Sequence, residues 1–391
     1  MGDTIGGWNF FDNKYLVSIE EPRFINNGDV TRDVLLNKDS KILEFNSKTG
    51  LYPLYITISL FKHKCLNVDS KKLTEELMEQ IWKQTIEDNI YIVCKTRMAK
   101  TITKRTLIGY KDKKTNILNI ENIFEELSNE FDNFNKFIKN PKNWNQNGGE
   151  EMKFDAIIGN PPYQENISSS EDNSSLGKQL FPTFVTSAIK LNPKYVSLIT
   201  PSRWFAGDAQ DKSFLKLREF IKDNNHISKI INYPDCKDVF DNVTIKGGVS
   251  YFLFEDNYSG NVDFYNANDG EKTKQTRPLF EEGLDIILSD SIDYEIIKKV
   301  KEKDFVSMTK ITKGRNAFGI VGKPDVVNSI SQAEKADGLV KLQCKAEEIR
   351  WTNPKNVTKS LDVFEKYKVF ISKSAGDPGK DRRVIGKPYV G

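Results

Sequence analysis

The segment best suited to chemistry is Asn160-Pro161-Pro162-Tyr163, which directly follows an apolar run. Residues 154–159 read Phe-Asp-Ala-Ile-Ile-Gly, which predicts a short buried parallel strand that ends in a glycine able to turn the backbone. The two prolines then end the sheet ladder and fix the loop. Open α/β sheets bind ligands at the carboxyl ends of their strands, so the sequence predicts rigid, accessible polar groups here.

These four residues suit the methylation of a planar amino group. The amide oxygen of Asn160 and the carbonyl oxygen of Pro161 can each accept one amino hydrogen. Such acceptors would draw the nitrogen lone pair out of conjugation, so that it attacks an electrophilic methyl group without a strong base. Tyr163 offers its ring face to an extruded base. The alternative interpretation is a proline-rich turn after a core strand, a shape common in α/β proteins.

Length and composition indicate a chain of about two domains. The 391 residues are 38% hydrophobic, which is enough for a substantial core, and the net charge of +3 does not by itself argue for nucleic-acid binding. Charge is nevertheless concentrated, because residues 95–114 contain eight basic residues and one acidic residue. Either a solvated surface or a phosphate-binding face explains that stretch.

Several classes of protein are disfavoured by what the sequence lacks. Its four cysteines are far apart without a CxxC pair and its histidines number two, so we predict neither a metal site nor a disulfide scaffold. No run approaches the roughly 18 apolar residues of a membrane span, and the start of the chain does not resemble a signal peptide. We therefore expect a cytoplasmic protein without a membrane partner.

The order of predicted elements indicates an α/β fold. Strand-like and helix-like segments alternate from about residue 41 to residue 256, which is typical of a mostly parallel sheet covered on both faces. Beyond residue 260 the pattern becomes irregular, and residues 373–387 form a basic tail. We predict one domain over residues 1–260 and a smaller α+β module over residues 261–391.

Taken together, the motifs resemble the N6-adenine DNA methyltransferases of restriction-modification systems, and in particular the methylase part of fused restriction-and-modification enzymes. The segments that carry the resemblance, in the γ order of motifs, are residues 42–50, 160–163, 181–184, 196–205 and 239–252. The resemblance implies a Rossmann-like methyltransferase fold over residues 1–260 and S-adenosylmethionine as cofactor. It also implies double-stranded DNA as substrate, with the adenine flipped out of the helix.

The resemblance also assigns the cofactor residues. Residues 42–50 resemble the S-adenosylmethionine loop, in which Glu44, Asn46 and Gly50 would contact the cofactor. Thr31 resembles a residue that reaches the cofactor from the other side. Glu121 could accept a hydrogen bond from the cofactor's amino group, although the sequence favours a helix-capping or solvated role for it.

For the target base, the resemblance adds Phe240 as a second aromatic beside Tyr163, with an ordinary core phenylalanine as the alternative. Residues 261–391 would be a partial DNA target-recognition region, truncated after an unfinished strand. A nuclease or helicase part would lie on a larger or companion chain.

Two further interpretations stay open. Lys48 stands where the family usually has a glycine, and no acidic residue follows the strand that ends at Cys94. These departures fit a catalytically silent DNA-binding or specificity component. A glutamine amide in a protein, or an amino group in RNA, is another substrate for the same four-residue motif. The additional C-terminal module favours DNA.

Overall fold

The computed structural model describes residues 30–111, 113–144, 146, 148–165, 178–207, 209, 211–240, 243, 245–268, 270–303, 312–314, 316–344, 348–370 and 389–390. The predicted basic tail, residues 373–387, lies outside these described residues. The chain divides into two compact units, residues 1–298 and residues 299–391. No helix in the described part is long and apolar enough to cross a membrane.

The strands of the first unit are β1 (Ile42–Phe45), β2 (Ile90–Cys94), β3 (Asn116–Asn119), β4 (Ala156–Gly159), β5 (Gln164–Glu165), β6 (Lys178–Gln179), β7 (Tyr195–Pro201), β8 (Ile227–Tyr233), β9 (Val249–Glu255), β10 (Val262–Asn268) and β11 (Glu271–Arg277). Its helices are α1 (Leu51–Leu66), α2 (Glu75–Asn89), α3 (Arg97–Ile108), α4 (Ile123–Asn129), α5 (Phe131–Ile138), α6 (Phe181–Lys190) and α7 (Ser213–Asp223), and α8 (Ser291–Lys301) follows them. Threonine hydroxyls begin two of the helices: Thr74 accepts from the Leu77 N–H before α2, and Thr96 accepts from the Ala99 N–H before α3.

Nine of the described strands form one sheet in the order β3-β2-β1-β4-β7-β9-β8-β10-β11. Strand β9 is antiparallel to both of its neighbours, and β10 and β11 form an antiparallel pair. The other neighbours are parallel, which confirms the predicted Rossmann-like methyltransferase fold with a mostly parallel sheet. Because β10 pairs with β8, the first unit continues beyond the predicted boundary at residue 260.

Both faces of the sheet are buried, and successive side chains alternate between two apolar clusters. Leu43, Phe45 and Ile157 enter one cluster, while Ile42 and Ile158 enter the other. The second cluster also receives residues from α1, α2 and α3, namely Tyr55, Ile86 and Leu107. The first cluster receives residues from α4, α5, α6 and α7, namely Phe124, Phe134, Phe184 and Leu217. The two groups of helices therefore cover opposite faces of the sheet.

The second unit is small and mixes helix with strand. Its described elements are α9 (Pro324–Ile330), β12 (Ser331–Gln332), β13 (Val340–Gln343), β14 (Ile349–Thr352), β15 (Val369–Phe370) and β16 (Tyr389–Val390). Strands β12, β14 and β13 form an antiparallel sheet in that order. The guanidinium of Arg350 fastens β14 to β12 by donating to the hydroxyl of Ser331 at 2.7 Å.

Candidate active site

The carboxyl ends of β1 and β4 lie side by side where the sheet changes its direction of winding. Phe45, the last residue of β1, pairs with Gly159 on one side and with Val93 on the other. The crevice at such a junction is the usual ligand site of open α/β sheets. Asn46 and Asn160, each one residue beyond its strand, therefore leave the sheet next to each other.

Gly159 is required by the closeness of these two strands. A Cβ atom at this position would lie 2.6 Å from the carbonyl oxygen of Phe45, a distance that real Cβ atoms do not show. The absence of a side chain therefore allows β4 to approach β1, and it fixes the point from which residues 160–163 leave the sheet.

Residues 160–163 follow β4 outside the sheet ladder. Pro161 is buried, whereas Asn160, Pro162 and Tyr163 are half-buried. The backbone carbonyl of Pro161 accepts no hydrogen bond from the described residues, and the carbonyl of Tyr163 accepts one from the N–H of Leu180 at 3.0 Å. The second bond ties the end of this segment to the start of α6.

Tyr52 connects the two strand ends, and sequence reasoning missed it. It lies in the first turn of α1, and its side chain forms a hydrogen bond with that of Asn160. Burial raises the pKa of the Tyr52 hydroxyl above its usual range, the charge of Glu44 acts in the same direction, and the bond to Asn160 lowers the pKa. The only sequence signal was a tyrosine two residues after Gly50.

Tyr163 sits between the two apolar clusters and packs against both. Its ring meets the ring of Phe181 edge to face, with centroids 6.5 Å apart and planes at 83°. Burial, followed by the neighbouring Tyr52 and Cys236, raises the pKa of the Tyr163 hydroxyl well above its usual range. That hydroxyl has no hydrogen-bond partner among the described residues, so packing rather than polar contact holds the ring.

Glu44 is a buried acid at the end of β1. Its side chain is 2% exposed, and its Oε2 atom has no hydrogen-bond partner among the described residues. Burial raises the pKa of this carboxyl to about 8, and a hydrogen bond with Ser47 partly opposes that shift. Burying a carboxyl group costs free energy unless it is paired, so the site favours a cationic or hydrogen-bond-donating ligand.

The loop after β1 is held by contacts with β2 and α3. Asn46 adopts a left-handed conformation with φ of 62°, and the N–H of Ser47 donates to the carbonyl of Val93 at 3.0 Å. Gly50, with φ of 76°, begins α1, and a Cβ there would lie 3.0 Å from the Cα of Thr103. Contact with α3 therefore explains this glycine. Lys48 is exposed.

Phe240 lies on the same apolar cluster as Tyr163 and is half-buried. Its N–H donates to the carbonyl of Cys236 at 2.8 Å, and Cys236 is close enough to Tyr163 to influence its pKa. The Cys236 thiol donates to the carbonyl of Val243 at 3.0 Å and accepts from the N–H of Ile245 at 3.1 Å. The structure thus brings both predicted base-contacting aromatics to one cluster.

The other two predicted cofactor residues are not brought to these strand ends by the contacts of the described residues. Glu121 is exposed, beyond the end of β3, and its Oε1 atom lies 3.5 Å from the Nε atom of Arg97. Thr31 begins a short π-helix, Thr31–Leu35, and its side chain is outside the described part. Asp33 of that helix binds Lys194 and Tyr195 at the start of β7. Cofactor contact by Thr31 and Glu121 stays a prediction.

Comparison with known proteins finds a family that is similar to the part of the chain around residues 160–163. Residues 88–240 match the model of the Eco57I restriction-modification methylase family. The match confirms the resemblance inferred from the sequence, and it includes β4, residues 160–163 and Phe240.

Two curated relatives resemble parts of the chain. An uncharacterized adenine-specific methylase of Mycoplasma pneumoniae is 42% identical over 125 residues, which are 32% of this chain and 29% of that protein. The type II restriction enzyme and methyltransferase RM.Eco57I of Escherichia coli is 27% identical over 198 residues, covering 46% of this chain and 18% of that protein. The chain thus spans less than a third of the length of either relative.

Solved structures with similar folds include the type IIL restriction-modification enzyme MmeI in complex with DNA. The alignment with MmeI covers 64% of this chain and 36% of the MmeI chain, with 11% sequence identity and a TM-score of 0.42. A type I restriction-modification methyltransferase subunit from Streptococcus thermophilus covers 69% of this chain and 50% of its own, with 13% identity and a TM-score of 0.36.

Proposed function

We propose that this protein transfers a methyl group from S-adenosylmethionine to N6 of adenine in double-stranded DNA, as part of a restriction-modification system. The observation that carries the proposal is the arrangement at the junction of β1 and β4. There the buried acid Glu44 lies in β1, and Asn160 directly follows the adjacent strand β4. Tyr52 forms a hydrogen bond with Asn160 and lies close enough to Glu44 to feel its charge. The adenine-specific methylase name of the Mycoplasma relative supports the choice of substrate.

The residues at the end of β1 fit a cationic cofactor. S-adenosylmethionine carries an ammonium group, and the unpartnered Oε2 of Glu44 is a buried acceptor suited to a cation. Glu44, Asn46 and the backbone up to Gly50 would hold the cofactor, as the family resemblance implies. When bound, the cofactor supplies an electrophilic methyl group.

Asn160 and Pro161 would prepare the adenine nitrogen for attack. The Oδ1 atom of Asn160 and the carbonyl oxygen of Pro161 each accept one hydrogen of the amino group, which shifts the nitrogen lone pair out of the ring system. The hydrogen bond with Tyr52 would hold the Asn160 amide in one orientation. Fixed acceptors of this kind cost no reorganisation during the reaction.

Tyr163 and Phe240 would receive the base after it leaves the double helix. Flipping costs a few kcal/mol of unstacking and unpairing, which aromatic stacking in the pocket can offset. Pro162 completes the rigid turn that presents Tyr163. Residues 261–391 would contribute to sequence recognition. A nuclease part on the same or a companion polypeptide is proposed from the name of the E. coli relative.

A methyl-transfer assay tests this function. The protein is incubated with tritiated S-adenosylmethionine and unmethylated phage DNA, and the digested DNA is analysed for N6-methyl-deoxyadenosine by mass spectrometry. Asn160→Ala should lower the rate by at least about 100-fold, as expected when one electrostatic contact to the reacting group is removed. The matched control is Asn143→Ala, which removes a half-buried asparagine that donates to the Phe137 carbonyl at 2.8 Å.

The outcome also decides between the alternatives. A wild-type protein that binds cofactor in calorimetry but leaves no label in DNA would refute the proposal and favour a silent DNA-binding component. Label in RNA or in a protein glutamine would change the substrate. Equal loss in Asn160→Ala and in the Asn143→Ala control would remove Asn160 from the mechanism.

A further inference from the structure

Helix α3 presents a stripe of basic residues outside the site described above. The stripe follows the i, i+3, i+4, i+7, i+8 spacing of one helix face and consists of four basic residues, Arg97, Lys100, Lys104 and Arg105, together with Thr101. The buried residues of the same helix are Thr103, Leu107 and Ile108. The helix is thus amphipathic, and the stripe places four basic side chains on its outer face beside the exposed Met98 and Ile102.

The stripe lines a surface cleft of about 590 Å³, which we call the α3 cleft. Beyond the stripe, its walls contain Gly109, Tyr110, Lys111 and Asn119. Among the described lining residues there are five basic side chains and no acidic one. The guanidinium of Arg105 lies 4.2 Å from the ring centroid of Tyr110, which holds it on one wall.

The charges of α3 are unfavourable for the isolated helix. Its first turn contains no acidic residue and begins with Arg97, although helix N-termini favour negative charge. Like charges three and four residues apart cost about 0.2–0.5 kcal/mol per pair. By contrast α2 has Glu75 and Glu76 in its first turn and an internal Lys83–Glu87 pair at 3.8 Å. A helix face that is only solvated would be expected to mix acidic and basic residues, as α2 does.

Arg97 and Lys111 have acidic neighbours at the rim of the cleft. Arg97 lies 3.5 Å from Glu121, and Lys111 lies 2.9 Å from Glu79. All four side chains are largely exposed, and such pairs contribute little free energy in water. Phosphate oxygens form stronger, charge-assisted bonds with basic side chains, so these pairs leave the cleft open to a polyanion.

The α3 cleft begins at the carboxyl ends of the strands, where the candidate active site also lies. Arg97 follows the carboxyl end of β2, which is adjacent to β1, and Asn119 ends β3. Neighbouring strands are about 4.8 Å apart, so β3 is roughly 15 Å from β4 across the sheet. A helix of 12 residues is about 18 Å long, which is enough to face several consecutive phosphates.

We propose that the α3 cleft binds backbone phosphates of the DNA duplex whose adenine enters the site at Asn160. This inference rests on the proposed function for the identity of the substrate. Such contacts would be independent of base sequence, and they would hold the duplex while its base is extruded.

The test compares two triple variants that lose the same charge. The first is Lys100→Gln/Lys104→Gln/Arg105→Gln in the cleft, and the second is Lys136→Gln/Lys142→Gln/Lys153→Gln. The control lysines are exposed and precede β4, near the opposite edge of the sheet. Binding of a fluorescein-labelled duplex is measured by anisotropy from about 50 to about 200 mM salt, a range over which phosphate contacts weaken strongly.

The cleft variant should reduce the slope of log K against log salt by about 3, close to one for each lost contact. At low salt its Kd should rise at least about 10-fold, and the control variant should stay near wild type. The charge-conserving variant Lys100→Arg/Lys104→Arg/Arg105→Lys should keep the wild-type slope. Circular dichroism verifies that each variant is folded.

Equal slopes in the cleft and control variants would overturn the proposal, and so would a slope that falls equally in the charge-conserving variant. The result is separable from the catalytic proposal because Asn160→Ala should bind DNA with the wild-type slope. A wild-type protein that binds duplex but methylates nothing would refute the enzyme and not the cleft. A wild-type protein that binds no duplex would refute both.

Discussion

The side chains of Tyr52 and Asn160 are joined by a hydrogen bond that links the first turn of α1 to the end of β4. Tyr52 also lies close enough to Glu44 and Tyr163 for their ionisations to influence one another. Tyr52 therefore lies beside three predicted site residues: the cofactor acid Glu44, the catalytic amide of Asn160 and the stacking ring of Tyr163. We infer that Tyr52 positions the Asn160 amide.

Replacing Tyr52 by phenylalanine should slow methyl transfer without unfolding the protein. Without the hydroxyl, the Asn160 amide loses the hydrogen bond that fixes its orientation. The lost bond contributes about 0.5–1.5 kcal/mol, which corresponds to a decrease in kcat of roughly 2- to 10-fold. Steady-state kinetics on unmethylated DNA should show this decrease with little change in KM.

Tyr91→Phe is the matched control for that experiment. The Tyr91 hydroxyl donates to the carbonyl of Asp88 at 3.3 Å near the amino end of β2, away from the candidate site. Its removal should leave kcat unchanged. If Tyr52→Phe also kept the wild-type kcat, the positioning role would be wrong.

Substitutions of Tyr163 should separate stacking from hydrogen bonding. Its hydroxyl has no partner among the described residues, so Tyr163→Phe should retain stability and most of the activity. Tyr163→Ala removes the ring that we propose for the flipped base, and it should lower kcat/KM by about 10-fold or more, since stacking contributes about 1–3 kcal/mol per base. Both variants are assayed for methyl transfer and for thermal unfolding.

The comparison between the two tyrosine variants is decisive because alanine also leaves a cavity beside Phe181. If both variants lost activity equally, the hydroxyl and not the ring would be important. If only Tyr163→Ala lost activity and its Tm fell in parallel, binding of cofactor would show whether the remaining fold is intact.

Gly159→Ala should destabilise the first unit. The added methyl group would lie 2.6 Å from the Phe45 carbonyl oxygen, so β4 must move away from β1. Such overpacking costs about 1–3 kcal/mol, which urea unfolding followed by tryptophan fluorescence can measure. Gly322→Ala is the control, because a Cβ there meets no atom within 4 Å. Equal midpoints in the two variants would contradict the strand-contact explanation.

Those elements of the site that depend on local sequence could be predicted. The apolar run before Asn160 predicts a buried strand, and the two prolines after it predict a rigid loop. Both predictions depend only on residues that are adjacent in the sequence. Tyr52 could not be predicted in the same way, because its bond to Asn160 joins positions more than a hundred residues apart. No periodicity carries information about such a contact.

The extent of the first unit shows a similar limit. The apolar and polar residues of 262–277 alternate too weakly for the segment to be assigned to the sheet from sequence, yet β10 pairs with β8 and β11 pairs with β10 at the end of the sheet.

Gly50 shows that a glycine can be predicted from sequence to matter without all the reasons for it being evident. The sequence predicts that Gly50 brings the backbone close to the cofactor, and the structure adds a second requirement, because the atoms nearest to a Cβ at this position belong to Thr103 of α3.

The stability of the protein should depend on pH through Glu44. Burial raises the pKa of this carboxyl from 4.5 to about 8, so the folded state binds its proton more tightly than the unfolded state does. The resulting contribution is fully present below about pH 4.5 and is lost as the pH rises towards 8. Glu44→Gln, which stays neutral, should therefore become more stable than wild type at pH 8, by on the order of a few kcal/mol. Urea unfolding at pH 5 and pH 8 measures the difference, and a constant difference would refute a raised pKa.

Binding of S-adenosylmethionine should release a proton from Glu44. At pH 7 a carboxyl with a pKa of about 8 is mostly protonated, and an ammonium group placed beside it would lower that pKa. Calorimetry in two buffers of different ionisation enthalpy should then report a release approaching about one proton per bound cofactor. Glu44→Gln should bind the cofactor more weakly and release none. Tight binding by the wild-type protein without proton release would mean that Glu44 does not face the cation, because a carboxyl that stays protonated next to an ammonium group gains nothing from its charge.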